Sequence, residues 1–293
     1  MRSRSQWEGW RGPGAGGRRA SGERSPHAQG VLPAGRALAG RVARRISGAR
    51  RVRGRPESPR FDLESTLDGA DRALLRAVTP YTMTSGERLM ATVDAVDYVV
   101  RRDVPGALVE CGVWRGGSVL AMILRLQQLG VNDREFFLYD TFKGMTAPTD
   151  HDTSAFSESA VDTWSRAANT GRVAWDWLFT PELFGLPQVR DLLVGTGYPA
   201  ERIHFVVGPV EETLPAAAPE RAAILRLDTD WYASTRHELE HLYPRLSIGG
   251  VLIVDDYGHW EGCRKAVDEY FEAEAAQLLM TRVDYTGRVA IKH

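Results

Sequence analysis

Blocks of apolar and polar positions along the chain predict a parallel sheet after residue 106. Short runs of leucine and β-branched residues that do not alternate with polar residues are typical of strands covered on both faces. Helix-length segments separate most of these runs, which lie at 107–109, 136–139, 203–207, 224–227 and 251–254. The pattern predicts an α/β fold, a mostly parallel sheet with helices on both of its faces.

The segments on either side of these strands have their own patterns. Ser85 can cap a helix whose apolar residues recur every three or four positions, at Leu89, Val93, Val96 and Val100. This pattern belongs to a helical lead-in at 62–104. At the other end, 264–279 is predicted to be a helix, and 281–285 and 289–292 are predicted to form an antiparallel hairpin that turns at Gly287.

Four aspartates follow the runs at 224–227 and 251–254. The helix between these two runs is predicted to begin near Ser234 and to stop at a Gly249-Gly250 turn, which gives a βαβ unit. A right-handed crossover makes the strands parallel, so both carboxyl ends open on one edge of the sheet. The acids at that edge are Asp228, Asp230, Asp255 and Asp256. Crowded carboxylates repel each other, and hard cations prefer oxygen ligands, so the pattern predicts a divalent metal site; the alternative is four solvated loop acids.

The first strand ends in Glu110 and continues into a glycine-rich turn. Gly112 and the later glycines of 111–118 allow the backbone to come close to a ligand, and the following helix favours negative charge at its N-terminus. The spacing differs from G-x-G-x-x-G, which argues against a nicotinamide cofactor. Asp140 ends the second strand, where an acid commonly accepts hydrogen bonds from ribose hydroxyls. Together these features predict a ligand that contains a nucleoside.

Residues from about 146 to 187 do not fit the alternation of strands and helices. This insertion mixes polar residues with the large aromatic residues Trp164, Trp175, Trp177, Phe179 and Phe184. Two interpretations remain open from the sequence, a lid over the edge of the sheet and a peripheral helical hairpin.

The sequence from His237 to His241 matches the zinc-protease motif H-E-x-x-H. At about 100° per residue, however, both histidines lie roughly opposite the apolar stripe of their own helix. They are therefore predicted to face solvent, and the protease interpretation is rejected.

Charge is distributed unevenly over the 293 residues. Residues 1–60 contain 15 arginines, no lysine and three acids, a balance of +12, which leaves −13 for the rest of a chain whose total is −1. This Arg- and Gly-rich tail is predicted to be disordered, and an RNA-binding arm or a transit peptide is the less favoured interpretation. There is no long apolar stretch, and the two cysteines suggest no disulfide framework, so a cytoplasmic protein without a membrane span is expected.

A methyl donor beside a metal would unite these parts. If the ligand is S-adenosylmethionine, its sulfonium already activates the methyl group, and the protein must align and deprotonate an acceptor hydroxyl. Asp228, Asp255 and Asp256 could hold a cation that two adjacent hydroxyls chelate. Asp230 and His259 are the candidate bases.

Four segments resemble the macrocin O-methyltransferase (TylF-type) family, at 110–118, 139–145, 227–235 and 249–262. The resemblance covers roughly 62–293 and implies a Rossmann-like methyltransferase fold with a seven-stranded sheet, S-adenosylmethionine as donor, and Mg²⁺ on Asp228, Asp255 and Asp256. An aspartate base would match Asp230. Residues 82–88 resemble the segment that closes over the methionine part of the donor. The donor site implied by the resemblance and by the sheet-edge features comprises Met83, Thr84, Glu110, Gly112, Ser118, Asp140 and Phe142.

The resemblance also implies an acceptor, a sugar hydroxyl on a macrolide or related glycosylated natural product. Two alternatives stay open at this point, a catechol-like O-methyltransferase and a non-catalytic nucleoside- or RNA-associated module. Nucleic acid is not expected as a partner beyond the tail, and a homo-oligomer is compatible with the sequence.

Overall fold

Seven strands form one sheet in the computed structural model, which describes residues 62–180, 183–274 and 277–293. The strands are β1 (Ala107–Cys111), β2 (Phe136–Asp140), β3 (Ile203–Val207), β4 (Ala222–Leu227), β5 (Leu246–Val254), β6 (Thr281–Arg282) and β7 (Arg288–Ile291). Their order is β3-β2-β1-β4-β5-β7-β6. The first five are parallel, whereas β7 is antiparallel to both β5 and β6. The predicted parallel sheet with a C-terminal antiparallel hairpin is confirmed. The predicted tail at 1–60 lies outside the described residues.

Nine α-helices connect or precede the strands in the described part of the chain. They are α1 (Leu63–Thr66), α2 (Gly69–Val78), α3 (Gly86–Arg101), α4 (Gly117–Gln128), α5 (Ala160–Thr170), α6 (Leu186–Val194), α7 (Val210–Thr213), α8 (Tyr232–Leu242) and α9 (Glu261–Ala273). Three 3₁₀ turns add Thr79–Tyr81, Ala200–Arg202 and Tyr243–Arg245. The Ser85 cap is confirmed, because its hydroxyl accepts the Arg88 backbone N–H at 3.2 Å.

Each face of the sheet is covered by its own hydrophobic layer. Leu108 packs among buried residues of α2, α3, α4 and α6, whereas its neighbour Val109 packs among those of α8 and α9. Both side chains are fully buried. Burial on both faces explains why the strand runs lack alternation, and it leaves the strand ends as the places for polar side chains.

The predicted Gly249-Gly250 turn is wrong. Helix α8 ends at Leu242, and β5 has already begun at Leu246. Gly249 has a φ of +79° within that strand, and its N–H donates to the Lys292 carbonyl at 2.7 Å. The register between β4 and β5 shifts here, so the glycines form an irregularity within the strand instead of a chain reversal.

The C-terminal elements differ in their bounds from the prediction. Helix α9 covers Glu261–Ala273, and residues 277–280 are not helical, so the predicted helix at 264–279 is misplaced at both ends. The hairpin turn lies where it was predicted, because the Val283 N–H donates to the Gly287 carbonyl at 3.1 Å. None of the helices in the described ranges is long and apolar enough to cross a membrane.

Candidate active site

The carboxyl ends of β4 and β5 bring three aspartates together. Asp228, Asp255 and Asp256 each offer a carboxylate oxygen, and these oxygens lie within 4.8 Å of one another. No other group of three or more potential ligands in the described ranges is as close. Because β4 lies between β1 and β5, Glu110 at the end of β1 borders the same cluster.

A buried arginine joins the end of β1 to this cluster. Arg226 is 1% exposed, and its guanidinium donates to Glu110 at 2.5 Å, to Asp228 at 2.6 Å and to Asp255. Burial alone would lower its pKa, but Asp228, Asp255 and Glu110 raise the pKa well above the ordinary value. Arg226 was not among the predicted site residues. The available signal was a single charge inside the otherwise apolar run of β4.

A second arginine reaches the cluster from α3. Arg88 pairs with Asp255 and, through Nε at 3.0 Å, with Asp284 of the C-terminal turn. Thr84, in the segment before α3, places its hydroxyl 3.3 Å from a carboxylate oxygen of Asp255. The segment at 82–88 therefore lies at the aspartate cluster, with the Met83 side chain 48% exposed beside it.

The cluster contains more carboxyl groups than cationic groups. Five carboxyl groups meet at this edge, and among the described residues only Arg226 and Arg88 form ion pairs with any of them; the five are Glu110, Asp228, Asp230, Asp255 and Asp256. Burial and then the neighbouring carboxylates raise the pKa of Asp256 well above its ordinary value. Its Oδ2 is buried and has no hydrogen-bond partner among the described residues. An unpartnered oxygen in an acidic, oxygen-only set fits a divalent cation.

Asp140 organises the glycine-rich turn. Its Oδ2 accepts the backbone N–H groups of Val113 at 2.8 Å and Trp114 at 2.9 Å, and its Oδ1 accepts that of Phe142 at 2.7 Å. Val113 follows directly on Gly112, so this carboxylate fixes the turn between β1 and α4. A carboxylate has about four acceptor positions, and three are used here, so one remains for a ligand hydroxyl.

The glycines of the turn are required by protein contacts. Gly112 has a φ of +83°, and a Cβ there would collide with the Asp228 carbonyl. A Cβ on Gly117 would lie 2.6 Å from the Tyr81 carbonyl. The close approach expected for a ligand is thus already made by the neighbouring backbone. Ser118 is buried at the start of α4, and Phe142, with a φ of +50°, is 7% exposed.

Asp230 accepts a hydrogen bond from a tryptophan that was not among the predicted site residues. Trp260 Nε1 donates to Asp230 Oδ1 at 2.7 Å, and the Trp260 ring packs edge-on against Trp231. Asp230 has a φ of +67°, in the left-handed region that residues other than glycine seldom adopt. Burial, with Asp228 as the next cause, raises its pKa to about 8.

Two hydroxyl groups hold the His259 ring. Nε2 lies 2.9 Å from the Ser157 hydroxyl, and Nδ1 lies 3.0 Å from the Tyr285 hydroxyl. Burial, and secondarily the positive charge of Arg88, lowers the pKa of His259. The imidazole is therefore neutral near pH 7, and both ring nitrogens already have partners.

The first part of the insertion contacts the loops that follow β4 and β5. Asp152 is 1% exposed; one of its oxygens accepts the Tyr232 N–H at 2.7 Å, and the other accepts the Thr149 N–H at 2.6 Å. The Glu261 N–H donates to the Thr153 carbonyl at 2.9 Å. Helix α5 is the one helix found in the described part of 146–180. Asp152 gave no recognisable signal in the sequence.

The H-E-x-x-H motif does not form a metal site. His237 and His241 are half-buried and pack edge to face at 4.3 Å, so the prediction that they face solvent is only partly correct. Glu238 between them is fully buried and accepts the Thr229 hydroxyl at 2.9 Å. It therefore supports the loop that carries Asp228 and Asp230.

Several known proteins are similar to this chain in sequence. The family model of macrocin-O-methyltransferase (TylF) matches residues 45–292. A tetracenomycin rhamnosyl 4'-O-methyltransferase of Streptomyces olivaceus is 37% identical over 71% of this chain and 74% of its own length. Mycinamicin III 3''-O-methyltransferase of Micromonospora griseorubida is 32% identical over 71% of this chain and 76% of its own.

A solved structure supports the same assignment. The structure of the O-methyltransferase NovP is 31% identical, covers 72% of this chain and 82% of its own, and superposes with a TM-score of 0.60. The chain belongs to the macrocin O-methyltransferase family and is an S-adenosylmethionine-dependent O-methyltransferase.

Proposed function

We propose that the protein transfers a methyl group from S-adenosylmethionine to a hydroxyl of a sugar or deoxysugar on a macrolide-like or other glycosylated natural product, and that the reaction requires Mg²⁺. The observation that carries the proposal is the cluster of Asp228, Asp255 and Asp256 within 4.8 Å, beside Glu110 and the glycine-rich turn. The relatives from S. olivaceus and M. griseorubida support the class of acceptor, because one is named as a rhamnosyl-tetracenomycin 4'-O-methyltransferase and the other as a mycinamicin III 3''-O-methyltransferase.

The cation would be held by Asp228, Asp255 and Asp256. A bound Mg²⁺ would stabilise the alkoxide form of an acceptor hydroxyl and hold it in place. Asp256 supplies an oxygen without a protein partner, whereas the oxygens of Asp255 are shared with Arg226 and Arg88. We infer that these arginines keep Asp255 in place, whereas Asp256 keeps one oxygen free for the cation and Asp228 is the more exposed ligand.

The donor would lie across the ends of β1 and β2. Asp140 has an acceptor position left for a ribose hydroxyl, and Glu110 is fixed by Arg226 at the end of the neighbouring strand. The segment with Met83 and Thr84 borders the aspartate cluster, which suits contact with the methionine part of the donor. Gly112, Ser118 and Phe142 complete the proposed site through the backbone and packing of the turn.

Asp230 is the better of the two candidate bases. One of its oxygens accepts the Trp260 N–H, and the carboxyl group lies within hydrogen-bond reach of Asp256. It therefore borders the proposed cation and can take a proton from an acceptor hydroxyl held there. His259 would first have to give up a hydroxyl partner at one of its ring nitrogens. We therefore assign proton removal to Asp230 and a supporting position to His259.

The proposal also covers the insertion and the localisation of the enzyme. The segment at 146–157 acts as the inner edge of a lid, because Asp152 and Thr153 attach it to the loops after β4 and β5. The enzyme works in the cytoplasm, as its cysteine usage suggests.

The test is methyl transfer to a panel of rhamnosides and catechols, followed by mass spectrometry. The protein is first treated with a chelator and then supplied with Mg²⁺. Transfer to a glycoside that stops with the chelator and returns with Mg²⁺ supports the proposal. Undiminished transfer in the chelator would reject the metal role, and transfer only to catechols would support the alternative acceptor class.

The matched variants are Asp256→Asn and Asp230→Asn. Asp256→Asn removes a ligand charge whose Oδ2 makes no protein hydrogen bond, so it disturbs the fold less than a change at Asp255. We expect its activity to require far more Mg²⁺. Asp230→Asn keeps an acceptor for Trp260 and should lower the rate about 100-fold or more, the usual contribution of a general base.

A further inference from the structure

Three aromatic rings from separate segments form an exposed cluster at the mouth of the active site. Phe156 stacks on His259 at 5.8 Å with an interplanar angle of 27°, and it meets Tyr285 edge-on at 5.4 Å. Phe156 is 64% exposed and Tyr285 is 53% exposed. They belong to the insertion, the loop after β5 and the C-terminal hairpin turn, and they are called the aromatic platform below.

The aromatic platform is fixed to the aspartate cluster on both sides. Next to Tyr285, the Thr286 hydroxyl donates to the Asp255 carbonyl at 2.7 Å. The His259 N–H donates to the Asp256 carbonyl at 3.0 Å. The side chains of Ser157 and Tyr285 then hold the His259 ring from opposite nitrogens. The rings therefore keep a set position relative to the reacting hydroxyl.

The exposed rings of Phe156 and Tyr285 differ from scattered apolar side chains on the surface. Single exposed apolar side chains such as Ile248, which is 69% exposed, are normal on protein surfaces. A contiguous aromatic surface beside a catalytic cleft is typical of a binding site. Its contact with water is unfavourable in free energy, and a ligand that displaces the water removes this cost. Burial raises the pKa of Tyr285, and Asp284, Asp256 and Asp255 raise it further against the effect of Arg88, which agrees with its position close to the cluster.

We propose that the aromatic platform binds the aglycone of the acceptor, an apolar and extended ring system, while the sugar hydroxyls lie at the aspartate cluster. This inference rests on the proposed function, in which the acceptor is a glycoside. The sugar must reach inward to Asp228, Asp255 and Asp256, so the rest of the molecule projects outward across the rings that border them. Phe156 offers the largest exposed ring face and sets the preference for an aglycone over a free sugar.

Binding calorimetry on the full chain tests this without turnover. The probes are p-nitrophenyl α-L-rhamnoside and methyl α-L-rhamnoside, with S-adenosylhomocysteine and Mg²⁺ present. We expect the aryl glycoside to bind about tenfold more tightly, which corresponds to about 1.4 kcal/mol. Phe156→Ala should remove this difference and leave the affinity for the methyl glycoside unchanged.

Two further variants separate the ring from other effects. Tyr285→Phe keeps the ring and loses the hydroxyl that faces His259, so the aryl preference should remain. Ile248→Ala removes a similarly exposed side chain at the start of β5, the end of that strand opposite the site, and should change neither affinity.

Equal affinities of the wild-type protein for the two glycosides, or an aryl preference that survives Phe156→Ala, would overturn the inference. A preserved aryl preference in a protein that methylates no glycoside would instead reject the proposed function and leave the aromatic platform as a binding site.

Discussion

Asp256→Asn should separate metal binding from folding. In the metal-free protein, Asp256 lies among like charges, with ligand oxygens of Asp228 and Asp255 within 4.8 Å. Two unit charges at that distance repel each other by about 3 kcal/mol at an effective dielectric constant of about 20. A carboxyl group that keeps its proton escapes part of this repulsion. The variant should therefore be more stable than the wild-type protein in a chelator, by up to about 3 kcal/mol.

Mg²⁺ should reverse that order. A cation at about 100 times its dissociation constant stabilises the folded state by about 2.7 kcal/mol, which raises the midpoint of thermal unfolding by roughly 5 to 10 °C for a domain of this size. If the variant binds about 100-fold more weakly, the same Mg²⁺ concentration contributes only about 0.4 kcal/mol, or about 1 to 2 °C.

The assay is thermal unfolding of both proteins in a chelator and in a series of Mg²⁺ concentrations. The two curves of midpoint against Mg²⁺ should cross. An equal upward shift in both proteins would refute the assignment of Asp256 as a ligand. A variant that is less stable than the wild-type protein in the chelator would refute the claim that the carboxylates repel each other.

Three other predictions concern the surroundings of the cluster. Arg226→Met leaves Glu110 and two aspartates without their buried counter-charge and should cost about 3 to 5 kcal/mol in urea unfolding, whereas a loss below about 1 kcal/mol would contradict the role given to Arg226. Asp140→Asn replaces one acceptor of the backbone N–H groups by a donor, so calorimetry should show binding of S-adenosylmethionine weakened about tenfold or more, and unchanged affinity would contradict the site. The double variant His237→Ala, His241→Ala should keep methyl transfer within about twofold of the wild-type rate; loss of activity with a normal midpoint of thermal unfolding would restore the histidines as functional groups.

The fold was largely predictable because its strands are buried on both faces. Apolar runs without alternation marked the five parallel strands, and the acids that end them marked the edge of the sheet that carries the site. The Gly249-Gly250 turn was misplaced because glycine favours both turns and strand irregularities, and only the pairing of β5 with β4 and β7 decides between them.

The charge balance of the site was harder to predict. Four aspartates were visible as a group, but the charges that oppose them come from Arg226 inside a strand and from Arg88 on a helix far away in sequence. Nothing local in the sequence shows which buried acids a distant arginine will reach. The same holds for Trp260, whose N–H donates to Asp230, and for Asp152, which attaches the insertion to the start of α8.

Asp140 shows a different limit of prediction from sequence, because a residue's position does not reveal all of its hydrogen bonds. Its place after the second strand suggested a ribose contact, yet the structure shows that it also holds the backbone of the glycine-rich turn. A ribose contact would use the same two oxygens. A position in a motif indicates what a residue can bind, and only its hydrogen bonds show which acceptor positions remain for a ligand.

The central claim is that a divalent cation lies beside the methyl donor, and paramagnetic broadening by Mn²⁺ tests it most directly. Carboxylate ligands that suit Mg²⁺ also accept Mn²⁺. In a complex of the protein with S-adenosylhomocysteine, Mn²⁺ should strongly broaden the proton resonances of the homocysteine part, and Asp256→Asn should remove the effect at the same Mn²⁺ concentration. Sharp homocysteine resonances in the wild-type protein with Mn²⁺ bound, or undiminished broadening in the variant, would contradict the account.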